Sequence, residues 1–157
     1  MALDAFVYCD CFEKDNLRSN PPRGLKLKIA PSGEVICGAQ SDPDWRAFTA
    51  WKHNKACLHE RMILKHHRLG TVSEIDQLRL ELESKGNGHF PILLRNVLYS
   101  GTHTCDWLPL TTLPKLTEEL KHLEPQATMG GDALRHLRIQ LAELIIAAQM
   151  VKKPICF

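Results

Sequence analysis

No apolar run in this sequence approaches the roughly 18 residues that a membrane-spanning helix needs. The first ten residues, Met1 to Asp10, carry no basic leader and meet an acid at Asp4, so no secretion signal is read there. Neither sign of charge is in excess: 20 Lys and Arg stand against 18 Asp and Glu, a formal net charge of +2. That balance gives no electrostatic pull toward nucleic acid or anionic lipid. Internal repeats and low-complexity tracts are absent. So are a phosphate-binding loop, a dinucleotide fingerprint and a nucleophile elbow. These absences predict a cytoplasmic chain with no membrane and no nucleic acid among its partners, and no motif calls for a cofactor.

What is present is ordinary globular composition. Apolar residues make up 44% and charged residues 24%, enough to bury a core over 157 residues. The whole chain, residues 1–157, reads as a single domain. Six cysteines invite a disulfide framework. A domain of this length does not need one, and the predicted compartment keeps thiols reduced. Free thiols are therefore expected.

The pattern predicts an α+β fold: a small mixed sheet with a β-hairpin at about 25–38, packed by about four helices, the longest C-terminal. Leu3 to Cys9 alternates with apolar residues on both faces, as a central strand does. Leu25 to Ile29 and Glu34 to Cys37 flank the turn Pro31-Ser32-Gly33, giving the hairpin. Asp42 and Pro43 open a helix with Ala47, Phe48 and Trp51 inward. Arg61 to His67 reads as a strand that stops at Gly70.

Thr71 and Glu74 form a capping box, and Val72, Ile75, Leu78 and Leu82 make the stripe behind it. Phe90 to Ser100 is open between a short helix and a strand. Leu113, Leu116, Leu120 and Leu123 define the next helix, and a loop is expected over 124–131. Asp132 caps the longest helix, striped by Leu134, Leu137, Leu141 and Leu144. Lys152 and Lys153 then sit where the helix dipole favours cations.

Four groups carry chemistry-bearing side chains. Cys9 and Cys11 would point the same way on a strand and suit a soft metal. They also continue the apolar face of Leu3, Ala5 and Val7, and core packing is the stronger reading. His53 and Cys57 share a face if the helix continues, and Cys57 and His59 converge if the chain is extended there; either pair forms only half a zinc site. His66, on the side of Met62 and Leu64, is expected to face inward, with His67 toward solvent. Finally, Tyr99 to Asp106 is a dense polar stretch after an expected strand. There His103 and Asp106 suit a base and its orienter, and Cys105 or Ser100 suits a nucleophile.

The segments Tyr-Cys-Asp-Cys at 8–11, His-His-Arg-Leu-Gly at 66–70, Leu-Tyr-Ser-Gly-Thr-His at 98–103 and Lys-Pro-Ile-Cys-Phe at 153–157 resemble those of a group of small bacterial proteins of unassigned function. The resemblance implies a bacterial source and a single domain, and carries no activity. Two functions follow. The first is a non-catalytic binding protein that docks on a protein partner, as an immunity-type inhibitor or accessory subunit does, with three Trp residues as anchors. The alternative is a metal- or thiol-dependent hydrolase. Its catalytic residues would be His103, Cys105 and Asp106, and its metal ligands, to zinc, Cys57, His59, His66 and His103. Those four donors converge only if the strand near 61–67 lies beside the segment near 97–100.

Overall fold

The computed structural model describes residues 2–38, 41–86, 88–99, 103, 106–129 and 132–157, without the side chains of 124–129. The elements, in order, are β1 (Ala2–Tyr8), β2 (Leu27–Ile29), β3 (Val35–Cys37), α1 (Asp42–Asn54), β4 (Ile63–Thr71) and α2 (Val72–Ser84). They continue with β5 (Trp107–Leu108), α3 (Leu113–Met129), α4 (Asp132–Val151) and β6 (Ile155–Cys156). The class is α+β, and α4 is the longest described helix. No helix among the described residues is long and apolar enough to cross a membrane.

One sheet has the order β4-β1-β6-β5, and β2 and β3 form a separate hairpin. Every pairing among the described residues is antiparallel. Alternation along β1 sends Leu3, Ala5 and Val7 to one face, where they join the leucines of α2, α3 and α4 in a large core. Ala5, Val7, Leu137 and Leu141 are almost wholly buried there. The capping box forms: the Thr71 hydroxyl accepts from the Glu74 amide, and the Glu74 carboxylate accepts from the Thr71 amide at 2.6 Å.

Several local expectations shift. The cap of α1 is Ser41, whose hydroxyl accepts from the Asp44 amide; Asp42 lies inside the first turn, where the dipole favours its charge. Val72 is exposed, because the box places it at the first helical position, ahead of the buried stripe. The segment after Phe90 is helical: Leu93–Val97 is a π-helical turn with Leu93, Leu94 and Val97 inside. Its free amides at Ile92 and Leu93 donate to the buried Glu119 carboxylate of α3, at 2.7 and 2.8 Å. Burial holds the Glu119 carboxyl above its usual range. Helix α3 runs on through Pro125 to Met129, where a loop is expected from Glu124.

A second, smaller core lies beyond the end of β1. Its described members are Cys9, Cys11, Val35, Phe48, Trp51, Ala56, Cys57 and Met62, contributed by the hairpin, α1 and the loops beside β1 and β4. The Cys9 amide donates to the Met62 carbonyl at 2.8 Å, which joins the two loops. Lys153 fastens the C-terminal tail to them. Lys152 takes a left-handed turn (φ 55°) after α4, and this carries Lys153 inward rather than leaving it solvated at the helix end. The Lys153 ammonium donates to the Cys9 carbonyl at 2.5 Å and the Gly33 carbonyl at 2.8 Å, and pairs with Glu13 at 2.7 Å. All three of its protons are engaged.

Candidate metal centre

The chain leaves β1 at Tyr8 and bends, so Cys9 and Cys11 stand in a turn rather than on the strand. The Asn16 amide closes this turn onto the Cys11 carbonyl at 2.8 Å. The second arm follows α1. Beyond Asn54 the Lys55 and Ala56 amides both donate to the Trp51 carbonyl, which ends the helix. Ala56 sinks into the small core, Leu58 turns out to solvent, and Cys57 and His59 face the first arm. The Arg18 amide donates to the Ala56 carbonyl at 2.8 Å and holds the arms together.

Cys9, Cys11, Cys57 and His59 meet, with all four potential ligand atoms within 4.8 Å of one another. The Cys9 and Cys57 sulfurs are 3.7 Å apart. His59 Nδ1 lies 3.3 Å from the Cys11 sulfur and 3.8 Å from that of Cys57. Zinc bonds of about 2.3 Å to sulfur and 2.0–2.1 Å to nitrogen, set at tetrahedral angles, require edges of about 3.8 Å and 3.5 Å. These three spacings lie within about 0.3 Å of those edges. The three thiols are buried and the imidazole is half-buried. The five described cysteines, at 9, 11, 37, 57 and 156, are free thiols.

Burial pushes the Cys9 thiol well up, and burial also raises that of Cys11. A coordinated thiol is held as thiolate, so a cation bound here would have to displace the thiol protons. The Lys153 ammonium on the Cys9 carbonyl adds a positive charge beside this group.

Two of the four residues read as zinc ligands in the sequence, Cys57 and His59, are in the cluster. The other two lie apart. His66 pairs across the sheet with Phe6, on the face turned away from α2 and α4, and its ring is 3.2 Å from Asp4. His67 is the inward one, its Nε2 donating to the Glu143 carboxylate of α4 at 2.7 Å. The reversal has a cause: register shifts between Leu3 and Asp4 and between Val7 and Tyr8 break simple alternation along this pair.

His103 packs on Tyr99 and Phe157, with ring centroids 4.1 and 5.3 Å away. Strands β1 and β6 separate β4 from that edge of the sheet, so the side-by-side pairing that would unite His59 with His103 does not form.

The expected catalytic group is only partly described, because Ser100 and Cys105 lie outside the described residues. His103 Nδ1 is 3.7 Å from Asp106, beyond hydrogen-bond reach. Asp106 instead accepts from the Tyr99 hydroxyl. Burial lowers the His103 pKa, and neither ring nitrogen has a hydrogen-bond partner among the described residues.

Cys9 and Cys11 were assigned to packing by sequence, and they do pack in the small core. The signal for ligation was a matched spacing: Cys9 and Cys11 are separated by one residue, as are Cys57 and His59. Comparison with protein-family models, with curated proteins and with solved structures gave no match.

Proposed function

We propose that this protein is a small non-catalytic binding protein whose second core is held by a structural zinc ion. The observation that carries the reading is the four-donor cluster of Cys9, Cys11, Cys57 and His59. Three thiols and one imidazole complete a tetrahedral zinc site and leave no position for a water, whereas hydrolytic zinc keeps one open. The donors also sit in the part of the fold with the least apolar material. A core this small is the kind that natural domains reinforce with a metal. Reduced cysteines fit a cytoplasmic setting. The bacterial source implied by sequence resemblance belongs to the same proposal.

The partner is a protein. Trp45 and Trp107 are exposed, at 55% and 43%, and are the large aromatic anchors available to it. Trp51, counted as a third anchor in the sequence, is interior; its indole donates to the Ser19 carbonyl at 2.9 Å. An immunity-type inhibitor or an accessory subunit is the class this describes. The hydrolase alternative has less support, since Asp106 is engaged by Tyr99 instead of orienting His103.

Elemental analysis of protein purified without a metal-affinity tag tests the zinc claim. Near-stoichiometric zinc, lost in Cys57→Ser and in His59→Ala, is expected. Folded protein that takes up no zinc on titration would overturn it.

A further inference from the structure

The outer face of the sheet, opposite α2 and α4, is not bare. A cleft of about 280 Å³ opens between β1 and β4, the hairpin and the last turn of α1. Phe6 and Tyr8 form one corner of it, their rings edge to face with centroids 5.3 Å apart. Lys52 is buried at 7% exposure, lies over the Tyr8 ring at 5.4 Å and pairs with Glu34. On the far side Asp4 is matched by His66. Each acid in the cleft thus has a basic partner, while Arg61 makes no ion pair among the described residues and leaves a cation in surplus.

The backbone at Arg61 is unusual. Arg61 (φ 55°, ψ 18°) and Met62 (φ 59°) are consecutive left-handed residues, and neither is glycine. Such strain persists only where the surroundings enforce it, and it gathers at functional sites. Met62 is anchored in the small core. The forced turn leaves Arg61 exposed in the wall of the cleft.

We infer that this cleft binds a small organic anion: a carboxylate or phosphate carried on a single flat ring. A guanidinium fork grips either oxyanion through two parallel hydrogen bonds. The ring would lie in the corner made by Phe6 and Tyr8, which offers aromatic faces and edges. The volume is at the low end for ligand pockets and suits one ring rather than a larger molecule. None of the four metal donors lines the cleft, so this inference and the zinc proposal succeed or fail separately.

The test is calorimetric titration of the full chain with benzoate and with phenyl phosphate, using benzamide as the neutral counterpart of benzoate. At least one anion should bind one to one. Benzamide, and the anion on Arg61→Gln, should each bind about tenfold or more weakly, the loss expected for one hydrogen bond to a charged group. Arg61 is exposed, so the variant is expected to fold. Arg61→Lys, which keeps the charge and loses the fork, should fall between. Amide shifts on titration should centre on Phe6, Tyr8 and Ile63. No saturable binding of either anion at millimolar concentration overturns the inference. So does unchanged affinity in Arg61→Gln, or binding of inorganic phosphate as tight as that of phenyl phosphate.

Discussion

The two cores of this protein are held by different means. The large one is built from leucines spaced along α2, α3 and α4 against the inner face of β1. Burying each such side chain contributes about 1.5–3 kcal/mol, and the helices supply many of them. The small core has eight buried members among the described residues, three of them cysteine, and its walls are a hairpin, one helix and loops. Apolar burial alone is a weak organiser there. What distinguishes it is convergent polar chemistry: four potential metal donors, and a lysine that ties the tail to two loop carbonyls. One region is stabilised by repetition, and the other by a few specific bonds.

If that contrast is right, truncating the leucine core gives the largest loss of global stability. Leu137→Ala or Leu141→Ala should cost about 2–5 kcal/mol, read as a lowered denaturation midpoint, with or without zinc. Variants that melt like the parent would show that the buried face of α4 is misassigned.

A pH series sharpens the same contrast from the side of the small core. Burial raises the thiols of Cys9 and Cys11 above their usual values, so both carry protons in the metal-free fold at neutral pH. Zinc binding must expel those protons. Affinity therefore rises with pH and falls as pH drops, by about tenfold per unit for each proton released. Competition titrations with a chromophoric chelator at two pH values measure the slope. A flat profile would mean that buried thiols are not the ligands.

The contrast also explains what the sequence made legible. The helices of the large core were readable because leucine recurs at helical spacing, and the Thr71–Glu74 box marks the start of α2 by its chemistry. The orientation of His66 was not readable, since the pairing skips Leu64 and Leu69 of β4, and these extra residues interrupt the strand's own alternation. Half of the candidate metal centre was visible, in Cys57 and His59. The other half lies 48 residues earlier, and only tertiary folding brings the arms together. Local pattern could say that Cys9 and Cys11 would be buried, but not beside what. The strand pairing assumed for His103 likewise depended on sheet order, which no local signal encodes.

A smaller effect is expected at the join between the cores. Lys153→Met keeps the length of the side chain and removes all three of its polar contacts. It leaves the Cys9 and Gly33 carbonyls without their donor, at a cost of about 1–3 kcal/mol. Hydrogen exchange should quicken at Cys9 to Asn16 and around Gly33 while α4 keeps its protection. Equal exchange across both cores would mean that the tail does not brace the small one.

The central claim, that the small core is closed by a metal on three sulfurs and one nitrogen, is tested most directly by X-ray absorption at the zinc edge of the loaded protein. The account predicts a four-coordinate shell with three sulfurs at about 2.3 Å and one nitrogen at about 2.0–2.1 Å. A shell containing a water oxygen, or one with fewer than three sulfurs, would contradict it.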